Sequence, residues 1–207
     1  MTDKWKGRSW CTLGDSITAA NGYQPLVLET LGFASLRNLA RGGCSMTAGG
    51  ERDEGSTVRV GMSITEAADC ATVFAGTNDY RLNKPIGQLR PVGGPFDVFT
   101  FIGAYQALIE HLLTLNPACR LNLWTPLQRD KDGYDIYSAN GAGHRLADYV
   151  EAVHQIARVY ALPVLDLYAT SGFSKLTLDY FTSDRLHPNE AGHRRIAELA
   201  IAFLSNL

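Results

Sequence analysis

The chain has almost no net charge: 19 Lys and Arg stand against 21 Asp and Glu over 207 residues. No basic run is interleaved with aromatics, so the electrostatic footprint of a nucleic-acid binder is missing. No apolar stretch reaches the ~18 residues that a bilayer-crossing helix needs, and no membrane partner is expected. The polar N-terminal stretch Met1-Thr2-Asp3-Lys4-Trp5-Lys6 lacks the apolar core of a signal peptide, which makes the cytoplasm the default location, with secretion open to a trimmed chain. The four cysteines (Cys11, Cys44, Cys70, Cys119) include no CxxC pair. Three lie in or beside apolar strand candidates, which favours reduced, mostly buried thiols over disulfides or zinc. There is no phosphate-binding P-loop and no GxGxxG after a strand, and neither a metal nor a cofactor is expected. Repeats, low-complexity tracts and linkers are also missing, so residues 1–207 read as one domain.

What the chain does have is a regular alternation of apolar runs and amphipathic stretches. Residues 9–13, 35–39, 70–75, 120–125 and 162–167 read as strands. The continuous apolar run at 70–75 has the pattern of a parallel strand covered on both faces. Helices are expected over 23–31, with Pro25 in the first turn and Gly32 as C-cap, over 100–115, stopped by Asn116-Pro117, over 145–160, and over 189–205. Residues 47–61 read as loop, with a brief helical segment around 64–68; 81–97 and 126–143 read as long polar loops. This order predicts an α/β domain with a parallel sheet and helices on both faces. In such sheets the site lies outside the C-terminal ends of the strands.

The chemistry-bearing residues sit at those ends. Gly14-Asp15-Ser16 follows the first strand, the layout that lifts a serine hydroxyl to the top of a sheet. The same tripeptide is also ordinary turn chemistry, and Asp15 is expected to shape that turn rather than transfer protons. Asp184 and His187 are three residues apart, close enough for a carboxylate to fix an imidazole that takes a proton from Ser16. Candidate oxyanion donors are the backbone N–H of Ser16, that of Gly42 or Gly43, and the side-chain amide of Asn78. Cys44 directly follows this glycine pair, so a bulky thiol reagent attached to it is expected to displace the donor. His144 and His154 stand apart from these blocks, and the six-residue spacing of His187 and His193 does not suit a helical metal pair.

Taken in order, Gly14-Asp15-Ser16, Asn38 with Gly43 five residues on, Gly76-Thr77-Asn78-Asp79 and Asp184-Arg185-Leu186-His187-Pro188 resemble the four blocks of the SGNH (GDSL-type) hydrolases. The blocks span residues 14 to 188, with Ile17 where the GDSL name has leucine. The resemblance implies a flavodoxin-like three-layer α/β/α sandwich around a five-stranded parallel sheet. It implies Ser16 as nucleophile, His187 as base and Asp184 as its orienter, with Ser16, Gly43 and Asn78 forming the oxyanion hole. Trp124-Thr125-Pro126-Leu127-Gln128-Arg129 is similar to members with a polar, carbohydrate-facing site, which makes Tyr80 and Arg129 candidates for binding substrate.

The expected function is therefore hydrolysis of carboxylic esters, of short acyl chains and possibly carbohydrate-linked, through an acyl-Ser16 intermediate. The partner is then a small-molecule or carbohydrate ester. The same residues would serve a lipase or lysophospholipase, or an acyltransferase, and a catalytically silent binding module would share the fold. Long-chain lipases need an apolar trough. The loops here carry Arg81, Lys84, Arg90, Arg129, Lys131 and Asp132 instead. The sequence assigns no oligomeric state.

Overall fold

The strands that are apolar almost from end to end form the middle of the sheet. β1 (Ser9–Gly14), β3 (Cys70–Phe74) and β4 (Arg120–Trp124) are buried apart from the first residue of β1 and of β4. β2 (Ser35–Asn38) alternates exposed and half-buried positions and takes one edge; β5 (Val164–Leu165) takes the other. All pairings are parallel and the order is β2-β1-β3-β4-β5, the flavodoxin-like arrangement. The computed structural model describes residues 3–207; Met1 and Thr2, where the polar N-terminal stretch begins, lie outside the described residues.

Alternate strand residues feed two cores, as the pleat requires. Cys11, Leu13, Ala71, Val73, Leu121 and Leu123 face one side. There they meet α3 (Thr57–Met62), α5 (Phe101–Leu115) and α6 (Leu146–Tyr160). Trp10, Cys70, Phe74 and Trp124 face the other, with α2 (Gln24–Leu31) and α9 (Glu190–Ser205). The second face also carries a polar row in register: Trp10 Nε1 donates to Thr72 Oγ1 (3.0 Å), and Thr72 Oγ1 and Trp124 Nε1 both donate to Asn122 Oδ1 (3.0 and 2.8 Å). Each buried polar group in this row has a partner, so the row sets strand register without a desolvation penalty.

Several short elements depart from the sequence expectation. Residues 47–61 contain α3, and residues 64–68 are not helical. The carbonyls of Ile64 and Ala68 bond to side chains of α5 and its C-cap, His111 Nε2 (2.8 Å) and Asn116 Nδ2 (3.3 Å), in place of helical partners. The expected fifth strand, 162–167, shortens to two residues because Asp166 leaves the ladder to cap α7 (Leu167–Thr170) through Ala169 N–H. Three further short helices were not expected: α1 (Ser16–Ala19), α4 (Thr77–Arg81) and α8 (Leu178–Phe181). All four cysteines are free and buried, in line with the reduced thiols expected. No helix among the described residues is long and apolar enough to cross a membrane.

Candidate active site

β1 ends at Gly14 and the chain turns at once into α1. A Cβ on Gly14 would overlap the Phe74 carbonyl oxygen of β3, so only glycine lets the two strand ends come this close. Asp15 caps α1 by accepting from Ile17 N–H (3.0 Å), as the turn-shaping reading requires. Ser16 opens the helix, half-buried, with its hydroxyl turned to the mouth of the sheet.

The residues at 184 and 187 reach this hydroxyl from the far end of the chain. His187 Nε2 lies 2.9 Å from Ser16 Oγ, and His187 Nδ1 lies 2.8 Å from Asp184 Oδ2. The other carboxylate oxygen, Oδ1, accepts the backbone N–H of His187 (2.7 Å) and of Leu186 (3.2 Å). The turn between acid and imidazole runs through Arg185, at a left-handed φ of 63°, and is held by Arg185 Nη2 on Asp130 (2.9 Å) and Nη1 on Asp179 (2.6 Å). Burial pushes the Asp184 carboxyl up, but His187 N–H, the Lys131 ammonium and the His187 ring together hold it well below the usual carboxylate range. An ionised Asp184 can only accept, so His187 Nδ1 carries a hydrogen, and in the neutral ring Nε2 is then the nitrogen that can accept from Ser16 Oγ.

Of the candidate oxyanion donors, the Asn78 amide is tied to the turn that carries Gly43. Asn78, just inside α4, donates one amide hydrogen from Nδ2 to Cys44 O (3.0 Å), leaving the second free. Among the described residues the N–H groups of Ser16 and Gly43 have no acceptor. Between the two adjacent glycines, Gly43 is the one whose place demands glycine. Its φ is 74°, and a Cβ there would sit 2.6 Å from Arg52 Nη1, whereas one on Gly42 would meet nothing. Asn38 steadies the same turn, donating to Thr18 O (2.8 Å) and accepting from Ala40 N–H (3.2 Å). The arrangement can therefore remove a proton from Ser16 and receive a negative oxygen beside it.

Two sequence candidates do not reach the site surface. Arg129 is only 1% exposed; its Nη1 donates to Thr77 Oγ1 (3.0 Å), and its guanidinium lies 5.7 Å from the Tyr134 ring centroid. Tyr80 is buried, and its hydroxyl contacts Asp135 O and Ser138 O (2.9 and 2.8 Å). Both pin the 126–143 loop down rather than offering a face to substrate. Cys44 is also enclosed: its Sγ sits where a Gly55 Cβ would come within 2.8 Å, and burial pushes the thiol pKa up.

Sequence reasoning missed Lys131, whose Nζ lies 2.5 Å from the same Asp184 Oδ2 that holds the imidazole. It also missed a pair of acids beneath the site. Asp79 is fully buried, and burial raises it against three donors, Met46 N–H (2.7 Å), Thr47 N–H and Thr47 Oγ1 (3.0 Å each). Asp15 is pushed up to about 7, chiefly by burial and also by the Asp79 charge, with the Ile17 hydrogen bond and Arg129 opposing. Among the described residues no three His, Cys, Asp or Glu side chains are grouped to hold a metal ion.

Residues 12–195 match the model of the GDSL-like lipase/acylhydrolase family. The chain belongs to that family. It is an ester-hydrolysing α/β enzyme. Among solved structures, a protein from Lactobacillus plantarum is 31% identical, with a TM-score of 0.84 over 97% of this chain and 98% of that one. A possible lipase from Chitinophaga pinensis is 21% identical (TM-score 0.75, covering 96% and 98%). An acetyl xylan esterase is 22% identical (TM-score 0.63, covering 94% and 98%). At such identities the last two show likeness of fold alone. No curated protein matches the chain.

Proposed function

We propose that this family member is a serine esterase for short-acyl carboxylic esters, working through an acyl-Ser16 intermediate. The observation that carries the reading is the continuous chain Ser16 Oγ–His187 Nε2 (2.9 Å) and His187 Nδ1–Asp184 Oδ2 (2.8 Å), with two backbone N–H groups left free beside it. Ser16 Oγ attacks the ester carbonyl as His187 Nε2 takes its proton. The carbonyl oxygen becomes an anion and is received by Ser16 N–H, Gly43 N–H and Asn78 Nδ2–H, donors already in place before charge develops. The tetrahedral species collapses as His187 returns the proton to the departing alcohol. Water, deprotonated by the same Nε2, then releases the acid from Ser16.

Support for a short acyl group comes from the cavity next to Gly43, about 520 Å³, whose side-chain lining offers one large apolar residue, Leu82. A growing alkyl chain there gains little of the ~0.8 kcal/mol per methylene that a dry pocket returns. The test is a series of 4-nitrophenyl esters beside acetylated sugars. We expect kcat/KM to be highest for acetyl or propionyl and to fall beyond about six carbons, and Ser16→Ala to abolish turnover with an unchanged melting temperature. Rising kcat/KM through octanoyl and decanoyl esters would instead identify a lipase or lysophospholipase.

A further inference from the structure

The cavity beside Gly43 has a second property, its charge. It is lined by Arg52, Arg81 and Lys84 against a single acid, Glu51. Among the described residues none of the three cations has a carboxylate within 4.0 Å. The contrast is internal: a larger cavity on α9, about 700 Å³, is lined by Arg194 and Arg195, which pair with Glu190 and Glu198. Two of the three cations near Gly43 are partly engaged with carbonyls. Arg52 Nη1 donates to Gly42 O (2.7 Å), and Lys84 Nζ donates to Ala48 O and Gly49 O (3.0 and 2.5 Å). Arg81, half-buried at the end of α4, makes no side-chain hydrogen bond among the described residues. Its charge also presses on the buried Arg129, whose pKa is held below the usual value first by burial and then by Arg81. Three like charges gathered around the one acid of the lining, Glu51, cost free energy that a bound anion would recover.

The position of the cavity says which part of an ester enters it. The departing oxygen must face His187, which arrives on the 182–188 loop; that loop is tied to the segment after β4 through Asp130 N–H on Arg185 O (3.0 Å). Gly43 follows β2, on the opposite side of β1 from β4. The wall of the cavity from Gly43 to Arg52 therefore lies on the side away from the leaving alcohol, where the acyl chain runs, and Arg81, Leu82 and Lys84 close it from the end of α4. We propose that it binds an anionic group at the far end of the acyl chain, with Arg81 as its free ligand, so that the substrates are half-esters of short dicarboxylic acids or acyl esters ending in another anion. This rests on the esterase reading above and names its substrate class.

The test compares 4-nitrophenyl hemiglutarate with 4-nitrophenyl valerate, which has the same chain length without the charge, and with 4-carboxyphenyl valerate, which carries the charge on the alcohol. In the wild type the hemiglutarate/valerate ratio of kcat/KM should exceed about ten, the scale of a desolvated charge contact, and should shrink in 0.5 M salt. Arg81→Gln should lower that ratio about tenfold and Arg81→Glu should bring it below one. Free glutarate, but not the uncharged valeramide, should raise the melting temperature of the wild type and not of Arg81→Glu. A wild-type ratio at or below one with neutral esters turning over overturns the anion site and leaves the esterase reading standing. A preference confined to 4-carboxyphenyl valerate overturns the acyl-side placement. If no ester turns over yet glutarate stabilises the wild type alone, the site holds and the esterase reading falls; loss of both turnover and glutarate binding overturns both.

Discussion

Replacing Asp15 by Asn should make the enzyme's stability less dependent on pH between 3.8 and about 7. Asp15 is 2% exposed, and its carboxyl is moved from 3.8 to about 7 by burial first and the Asp79 charge second. Between these two values the folded chain keeps a proton that the unfolded chain releases. Stability from this group is thus fully present below the unfolded value and is lost as pH rises through about 7. Going from pH 5 to pH 8.5 crosses roughly two pH units of this window, worth about 2–3 kcal/mol. Asn keeps the shape and an oxygen for Ile17 N–H, so the cap survives while the titration disappears. Urea titrations of both proteins at pH 5 and 8.5 measure the difference. The wild type should lose about 2–3 kcal/mol more than Asp15→Asn, or roughly 4–12 °C in Tm for a chain of this size. Parallel losses in the two proteins, or a wild type that gains stability across the interval, would refute the placement of a raised carboxyl under Ser16.

Three further outcomes are expected. Asn78→Ala should lower kcat by ~10²–10³ with little change in KM, and it should also cost some stability, because Nδ2 holds Cys44 O; a loss of stability with kcat preserved would reduce Asn78 to a strut. Lys131→Met removes one of the donors that keep Asp184 low, so activity and stability should fail at a higher pH on acidification, with Lys131→Arg restoring much of the lost range; an unmoved acid limb would make the Lys131 contact idle. Cys44, buried beneath Gly55, should stay unmodified by bulky thiol reagents unless urea is added, and Cys44→Ser should remain active; rapid labelling of the native enzyme would contradict its burial.

Long periodic elements were legible from the residues alone, and short ones were not. β3 reads as buried on both faces because Cys70 through Phe74 have no polar break larger than Thr72, and α5 and α9 carry three or more turns of apolar stripe. The helices α1, α3, α4, α7 and α8 have four to six residues each, too few for a 3.6-residue period to register. Asp15 and Asp166 cap α1 and α7 locally, while α3, α4 and α8 have no side-chain cap to mark their start. Ile64 and Ala68 show the converse: a helix-like spacing overridden by side chains of a neighbouring helix. Ser16, Asp184, His187, Gly43 and Asn78 stood out because strand ends and turn residues mark where a parallel sheet gathers chemistry. Tyr80 and Arg129 misled because polarity near a strand end looks like a rim, while here the 126–143 loop folds over both. Lys131 left no signal at all, since one lysine in a polar loop is indistinguishable from its neighbours until the loop closes on Asp184.

The order of strands has a use outside catalysis. β2, β1 and β3 are adjacent in space and come first in sequence, and β4 and β5 are adjacent and come later. A single break in the exposed stretch around Gln88 and Leu89 would therefore divide the sheet along one seam, between β3 and β4, into two unbroken pieces. Ser16, Gly43 and Asn78 would go with the first piece, Asp184 and His187 with the second. Neither piece could turn over an ester alone, and the seam restores the 2.9 Å contact from Ser16 to His187 only when the pieces meet. Fused to two other proteins, the halves would form a colorimetric reporter of their encounter, with its signal set by whatever brings that seam together.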